Sequence, residues 1–250
     1  MIIGVCQGKG GTGKSTTALN ISHSLANKKK KVLIVDLDPQ RSLTFAIGGQ
    51  NTKNTIADVI FDGLPVGEAI TQSNISNLDL LVGSSRLANF DLQKAQSTDR
   101  NSCVKDVFLG LQGYDFIILD SSPTLSLLNI AVINACDNLL IPVKADYLSI
   151  QSLAGFLQSI DEAKNSLGCK AEVIGFLPVM IDRRLRSQKE ILKLLTANFG
   201  KKVFQSHIPN NVKLAESPSH GKTIFEYAPS SLGAIQYEAA TKELIRRLCK

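Results

Sequence analysis

Glycines crowd a short segment near the start of the chain, and a lysine and a serine follow them directly. The segment contains Gly8, Gly10, Gly11, Gly13, Lys14 and Ser15. An apolar run precedes it and an amphipathic pattern follows it, so it connects a predicted strand to a predicted helix. N–H groups in such a loop turn toward phosphate oxygens, and the positive end of the helix dipole adds to the attraction. The segment predicts a phosphate-binding loop in which Lys14 reaches the β- and γ-phosphates and Ser15 ligates Mg²⁺.

Carboxylates follow two further apolar runs. Asp120 comes directly after residues 116–119, which is where an acid that holds Mg²⁺ through water is expected in a nucleotide-binding sheet. Asp36 and Asp38 follow residues 32–35, just before Pro39. Because side chains alternate along an extended chain, both would point the same way, toward the sheet edge where ligands bind. These acids fit the same site as the glycine-rich loop.

Short apolar runs alternate with helical patterns along almost the whole chain. Strands are predicted at residues 2–6, 32–35, 78–82, 116–119, 138–143, 173–179 and 203–205, and helices at 16–26, 104–111, 130–135, 152–166, 187–198 and 234–248. This alternation is typical of a parallel sheet covered by helices. No linker, repeat or low-complexity segment divides the chain. The prediction is an α/β fold, a single-domain P-loop NTPase over residues 1–250 with a mostly parallel, twisted sheet flanked by helices.

The composition is that of a globular protein with an excess of basic residues. Hydrophobic residues make up 44% and charged residues 20%, and 28 Lys and Arg against 22 Asp and Glu give a net charge of +6. This balance suits a polyanionic partner, nucleic acid before an anionic membrane surface. The five cysteines include no CxxC pair, so neither a zinc site nor a disulfide framework is predicted. No run approaches the roughly 20 apolar residues of a membrane-spanning helix, and the first run is too short for a signal peptide, which predicts a cytoplasmic protein.

Lys9 distinguishes the loop from an ordinary phosphate-binding loop. The segment K-G-G-T-G-K-S of residues 9–15 resembles the deviant Walker A box of the ParA/MinD family of ATPases. The resemblance covers nearly the whole chain, since V-D-L-D-P-Q at 35–40 is similar to the family's A′ segment and I-L-D-S-S-P at 118–123 to its Walker B region. Residues 208–224, which begin I-P-N-N-V-K, resemble a stretch typical of the ParA/Soj branch.

The resemblance implies an ATPase that holds ATP and Mg²⁺ between the two subunits of a homodimer. Lys9 would cross the interface to the partner's phosphates, Lys14 would bind phosphates in its own subunit, and Asp38 would orient or activate the attacking water. The magnesium site would comprise Ser15, Asp36 and Asp120. The nucleotide contacts would be Lys9, Gly10, Gly11, Thr12, Gly13, Lys14, Ser15 and Thr16 around the phosphates, with Pro209 and Asn211 against the adenine.

Members of the ParA branch bind DNA without sequence preference as ATP dimers, and a ParB-type partner stimulates their ATPase activity. The resemblance therefore implies double-stranded DNA and a ParB-type adaptor as partners, no membrane contact, a location on the nucleoid, and a function in segregating plasmid or chromosome DNA. Candidates for the DNA face are Arg183, Arg184, Arg186, Lys213 and Lys222, with Lys189, Lys201, Lys202, Arg246 and Arg247 as further basic residues. Lysine and arginine contacts to phosphates suffice for such binding. Asn210 and Lys213 stand where relatives commonly carry arginines.

Two alternatives stay open. A MinD-like positioning ATPase would work on a membrane through an amphipathic helix beyond the core, whereas the last predicted helix of this chain has the pattern of a core helix. The other alternative is a metabolic enzyme with the same deviant box, such as a nitrogenase-type reductase or an amidoligase. The reductases need cysteines that hold an iron–sulfur cluster between subunits, and Cys103 and Cys136 keep that possibility open.

Overall fold

A seven-stranded sheet forms the middle of the protein, whose computed structural model describes residues 1–123, 126–182 and 184–249. The strands are β1 (Ile2–Val5), β2 (Val32–Leu37), β3 (Thr71–Gln72), β4 (Leu78–Leu81), β5 (Phe116–Ser121), β6 (Asn138–Lys144) and β7 (Glu172–Val179). Their order across the sheet is β3-β4-β2-β5-β1-β6-β7. Neighbouring strands from β4 to β7 pair in parallel, and β3 runs antiparallel to β4. The predicted α/β fold with a mostly parallel sheet is confirmed.

Helices cover both faces of this sheet. They are α1 (Lys14–Asn27), α2 (Ser42–Ala46), α3 (Ile56–Asp62), α4 (Val66–Ala69), α5 (Phe90–Lys94), α6 (Cys103–Val107), α7 (Leu127–Ala135), α8 (Tyr147–Leu167), α9 (Arg186–Phe199), α10 (Val212–Glu216), α11 (Ile224–Tyr227) and α12 (Leu232–Leu248), with 3₁₀-helical turns at Ser85–Asn89, Gly200–Lys202 and Ser217–His220. Successive strand residues point to opposite faces, so they enter two separate cores. Ile3, Leu19 of α1 and Tyr237 of α12 belong to one core. Leu33 and Phe156 of α8 belong to the other.

The register of the strands brings the predicted site residues to one edge of the sheet. β2 and β5 pair so that Asp36 lies beside Asp120 near their carboxyl ends. Val5, the last residue of β1, pairs with Asp120 on the other side. Because the strands are parallel, the loop that leaves β1 starts at the same edge at which both acids lie.

One predicted strand is wrong. Residues 203–205 do not form a strand, because Val203 makes a single bridge with Phe176 and the pairing stops there. The N–H groups of Gln205 and Ser206 donate to the carboxylate of Glu243 in α12, at 3.0 Å each. A side-chain acceptor therefore takes the place of the backbone carbonyls that a neighbouring strand would offer.

The longest helix, α8, begins before its predicted start at residue 152. Asp146 caps it by accepting a hydrogen bond from Ser149 N (2.8 Å), so the helix starts at Tyr147. Such a cap satisfies an N–H group that the first helical turn leaves open. Within the described part of the chain, neither α8 nor another helix is long and apolar enough to cross a membrane.

Buried polar contacts attach α1 to the start of α11. His23 Nδ1 lies 2.7 Å from the Thr223 hydroxyl, and Asn20 Oδ1 accepts a hydrogen bond from Ile224 N (2.9 Å). Thr223 caps α11 together with Glu226. Burial lowers the pKa of His23, which favours the neutral ring in this contact.

Candidate nucleotide-binding site

The loop between β1 and α1 has the backbone of a phosphate-binding loop. Gly11 and Gly13 adopt left-handed conformations with φ of 70° and 73°, which glycine enters without the steric cost of a Cβ. α1 begins directly after Gly13, whose carbonyl accepts the hydrogen bond of Thr17 N (2.8 Å). Among the residues that the structure describes, no side chain caps the start of this helix. The first N–H groups of α1, which include those of Ser15 and Thr16, can therefore bind an anion.

The Lys14 ammonium lies inside the loop. Its Nζ donates to the carbonyl oxygen of Lys9 (3.3 Å), and the residue is 6% exposed. Burial lowers the pKa of Lys14, and the carboxylates of Asp120 and Asp38 act against that shift. The structure thus brings Lys14, Asp38 and Asp120 into one site.

Asp120 is a buried carboxylate that the described residues leave poorly satisfied, since its contact with the Ser15 hydroxyl falls short of normal hydrogen-bond geometry. No group among the described residues donates to either of its carboxylate oxygens with normal geometry. Burial, followed by the neighbouring Asp36 carboxylate, raises the pKa of Asp120 well above its usual range, and the nearby Ser15 hydroxyl and Lys14 only partly offset this. An unpaired buried carboxylate is costly, and a cation beside it removes the cost. The oxygen atoms of Ser15 and Asp120 therefore fit Mg²⁺.

Asp36 and Asp38 are both buried, but Asp36 is tied into the fold more tightly. It accepts hydrogen bonds from Thr44 N (2.8 Å), the Thr44 hydroxyl (2.6 Å) and Asp38 N (3.1 Å). Burial raises its pKa to about 6 in spite of these bonds. Asp38 Oδ1 accepts a hydrogen bond from Gln40 N (2.9 Å). Asp36 therefore fastens the segment that presents Asp38 beside Lys14.

The Lys9 side chain leaves the loop and reaches the start of α8. Its Nζ lies 3.1 Å from Asp146 Oδ1 and donates to the Ser149 hydroxyl at 3.2 Å. Lys144 Nζ approaches the other carboxylate oxygen, Oδ2, at 3.3 Å. Burial raises the pKa of Asp146, but hydrogen bonds from Ser149, Lys9 and Lys144 outweigh it and hold the pKa at about 2. The ammonium of Lys9 is thus engaged within its own subunit.

Pro209 pairs with the chain just beyond the end of β7, and Asn211 follows it at the start of α10. Ile181 pairs with Pro209 in a parallel bridge, and Asn211 caps α10. The methyl group of Met180 would lie 3.7 Å from a Cβ added to Gly13, so this segment is close to the loop. A cavity of about 370 Å³ opens here, lined by Ile181, Asp182, Arg184, His207, Pro209, Asn210, Leu232 and Gln236.

Proteins of similar sequence include two Soj proteins that align over nearly their full length. A family model described as an AAA domain matches residues 1–173. The chain is 33% identical to the sporulation initiation inhibitor protein Soj of Bacillus subtilis, over 97% of each chain. It is 34% identical to the chromosome-partitioning ATPase Soj of Thermus thermophilus, over 98% of this chain and 96% of the relative. The chain belongs to the ParA/Soj family of partition ATPases.

Membership of the ParA/Soj family confirms the resemblance seen in the sequence and makes the chain an ATPase. Among solved structures, cobyrinic acid a,c-diamide synthase from Mycobacterium smegmatis with bound ATP analog and magnesium has a TM-score of 0.87. The two chains are 24% identical, and the alignment covers 99% of this chain and 94% of the synthase chain. At that identity the likeness shows the fold alone, so it gives the amidoligase alternative no further support.

The cysteines of this ParA/Soj chain lie where they cannot easily join two subunits. Cys103 and Cys136 are buried within the subunit, as are Cys6 and Cys169, and Cys249 is exposed just beyond α12. In the described ranges, no group of three or more His, Cys, Asp or Glu side chains could hold a metal ion. Magnesium bound by one hydroxyl, nucleotide phosphates and water does not require such a group. The placement of the cysteines argues against the reductase alternative.

Some of the basic residues predicted for the DNA face already form ion pairs with acidic side chains of the same subunit. Arg183 lies outside the described residues. Arg184 is exposed but forms an ion pair with Asp182 (2.7 Å), and Lys213 forms one with Glu216 (3.1 Å). The exposed basic residues further include Arg186, Lys189, Lys201, Lys202, Lys222 and Arg246. Exposed cations therefore occur on α9, on the turn after it, in the segment before α11 and on α12.

Arg247 does not belong to this basic set. Its guanidinium donates to the Glu243 carboxylate (2.8 Å) and to the carbonyl oxygens of Ile174 (3.1 Å) and Val203 (2.9 Å). It also lies 4.1 Å from the centre of the Phe204 ring. These contacts hold α12 against β7, so the Arg247 guanidinium is less available to a DNA phosphate than the exposed cations are.

Sequence reasoning missed the residues that hold Lys9. Asp146 three residues before Ser149 has the pattern of a helix start, so the cap could have been predicted. The pairing of Asp146 with Lys9 could not, because the two residues are 137 positions apart and only the β1 and β6 pairing brings their loops together.

Proposed function

We propose that this ATPase forms an ATP-dependent homodimer that binds DNA without sequence preference and hydrolyses ATP to segregate plasmid or chromosome DNA. The observation that carries the proposal is the different placement of two lysines from one loop. Lys14 is buried beside Asp120 and Asp38, whereas the side chain of Lys9 is 30% exposed and lies outside that pocket. A lysine outside its own phosphate site can, once it is released from Asp146, neutralise phosphates bound in a partner subunit.

Each residue of the site has a part in the proposed reaction. Lys14 and the N–H groups at the start of α1 bind the phosphates, and Ser15 and Asp120 hold the metal. Magnesium, when bound, neutralises charge on the phosphates. Asp38 accepts a hydrogen bond from the attacking water and orients it. Asp36 would support the magnesium site indirectly, because its own oxygens already accept hydrogen bonds from Thr44 and Asp38.

The remaining nucleotide contacts follow from the same arrangement. Gly10 to Thr16 surround the phosphates, and Pro209 with Asn211 borders the adenine. In support, Pro209 lines a cavity together with Ile181, and the neighbouring Met180 reaches Gly13 of the phosphate loop.

DNA binding is assigned to the exposed basic residues. Arg184, Arg186, Lys213 and Lys222 are exposed, and Arg183 is the remaining candidate from the sequence. Pairing two subunits doubles the number of phosphate contacts, so the dimer binds DNA more tightly than the monomer. A ParB-type adaptor would stimulate hydrolysis and release the dimer. This activity places the protein on the nucleoid in the cytoplasm.

The test is the rate of ATP hydrolysis with and without nonspecific duplex DNA and the product of an adjacent gene. We expect a slow basal rate that rises when both are present. Pelleting with anionic lipid vesicles and ATP is the comparison for the MinD-like alternative. A protein that pellets with lipid and ignores DNA at low salt would contradict the proposal.

A further inference from the structure

Asp146 forms the centre of a small charged network at the start of α8. One carboxylate oxygen faces Lys9 (3.1 Å) and the other faces Lys144 (3.3 Å). The oxygen that faces Lys9 also caps α8 by accepting the hydrogen bond of Ser149 N (2.8 Å). The Ser149 hydroxyl accepts a second hydrogen bond from Lys9 (3.2 Å). Because α8 fixes the carboxylate, the network holds the Lys9 ammonium at one defined place on its own subunit.

We propose that Asp146 is a positioning residue that retains Lys9 in the monomer and thereby sets how readily ATP drives dimerisation. The inference rests on the proposed function, in which Lys9 binds phosphates in the partner subunit. The ion pair with Asp146 and the contact across the interface compete for the same ammonium group. A dimer therefore forms only when the free energy of the second contact exceeds that of the first.

Lys144 also affects how strongly Asp146 holds Lys9. Two lysines share one carboxylate, so Lys144 weakens the attraction between Asp146 and Lys9. Removing Lys144 leaves the carboxylate to Lys9 alone and strengthens its retention. Asp146→Asn has the opposite effect, because asparagine keeps the cap of α8 but removes the charge that holds Lys9.

The size of the effect follows from the exposure of the pair. The side chains of Lys9 and Asp146 are 30% and 32% exposed, so solvent screens their attraction. A partly exposed ion pair of this kind changes an equilibrium by about two- to fivefold. Each dimer requires the release of two lysines. The dissociation constant of the dimer should therefore change by the square, about 4- to 25-fold.

The experiment measures the dimer dissociation constant by analytical ultracentrifugation with saturating ATP and Mg²⁺. All variants also carry Asp38→Ala, so that ATP is not hydrolysed during the measurement. We expect Asp146→Asn to lower the dissociation constant about 4- to 25-fold and Lys144→Gln to raise it. Glu172→Gln is the matched control, because it breaks another ion pair of α8, that of Lys164 with Glu172 (3.0 Å). It should leave the constant unchanged.

Two results would overturn the inference while leaving ATP-dependent dimerisation intact. The first is an Asp146→Asn protein that dimerises no more tightly than its Asp38→Ala parent. The second is an Asp146→Asn gain that persists when Lys9→Ala is added, because the gain would then not act through Lys9. If Asp38→Ala alone forms no ATP-dependent dimer, the proposed function fails together with the inference. Lys144→Gln changes a half-buried residue whose side chain is 42% exposed, and it keeps the test valid if Asp146→Asn folds poorly.

Discussion

The buried and poorly satisfied carboxylate of Asp120 leads to a prediction in which the stability of the nucleotide-free protein and its function change in opposite directions. Asp120→Asn removes the charge and keeps the shape of the side chain. Burial and the neighbouring Asp36 carboxylate are the largest causes of the raised pKa of Asp120, and a neutral amide relieves both. We expect the nucleotide-free variant to be more stable than the parent by about 1–3 kcal/mol, because a buried group without good donors costs more when it is charged than when it is neutral. For a chain of this size that raises the melting temperature by roughly 2 to 12 °C.

Thermal unfolding at pH 7 with and without Mg²⁺ and ATP measures this prediction. With both ligands present the order should reverse, because the parent gains binding free energy that the variant has lost. The advantage of the variant should shrink as the pH falls toward about 4, since Asp120 is then neutral in the folded and unfolded chains. Asp106→Asn, which changes an exposed acid of α6, is the control and should have little effect.

Two outcomes would refute this reasoning about Asp120. A nucleotide-free Asp120→Asn protein that melts below the parent would show that the carboxylate is stabilised in the fold. A variant that Mg²⁺ and ATP stabilise as much as the parent would remove Asp120 from the metal site.

Three further predictions concern the other charged residues. Lys14→Ala should weaken ATP binding about 10- to 150-fold in isothermal titration, since it removes charge-assisted hydrogen bonds to the phosphates; unchanged affinity would contradict the phosphate site. Asp38→Ala should bind ATP, hydrolyse it too slowly to leave the dimer, and bind duplex DNA with an affinity that falls steeply with salt in fluorescence anisotropy. Adding Lys213→Ala and Lys222→Ala should weaken DNA binding without reducing dimer formation, and an Asp38→Ala dimer that ignores DNA at low salt would contradict the DNA assignment. Burial raises the pKa of Asp36 to about 6 in the folded protein. Between about pH 4 and 6, folded Asp36 therefore keeps a proton that the unfolded chain loses. The contribution of Asp36 to the free energy of unfolding should fall as the pH rises through that range. Urea denaturation of the nucleotide-free protein should show this slope, and Asp36→Asn should remove it.

The sequence predicted those parts of the fold and site that depend on local patterns. Apolar runs mark buried parallel strands, and Asp36 and Asp120 follow such runs directly, so their meeting at one sheet edge could be inferred from strand direction. The glycines around Lys14 encode a loop conformation that few other residues allow. Each of these signals lies within about ten neighbouring residues, the scale on which periodicity and turn chemistry act.

The features that could not be predicted depend on side chains far apart in the chain. Residues 203–205 have the composition of a strand, but the Glu243 carboxylate takes the N–H groups of Gln205 and Ser206. Arg247 looks like a surface cation until its contacts with β7 are seen. Asp146 has the pattern of a cap, and only the folded chain shows that it also binds Lys9. In each case the local sequence does not determine which hydrogen-bond or ion-pair partner the polar side chain has in the folded chain.

The attachment of α1 to Thr223 and Ile224 gives this helix a mechanical role. α1 begins at the phosphate loop, and near its other end His23 and Asn20 hold the residues that directly follow Lys222. Separating these buried partners would cost about 1–3 kcal/mol for each group left unsatisfied. These contacts tie the residues next to Lys222 to the helix that starts at the phosphate loop. We therefore expect a displacement of α1 to carry Lys222 with it, which would couple the nucleotide site to one of the basic residues.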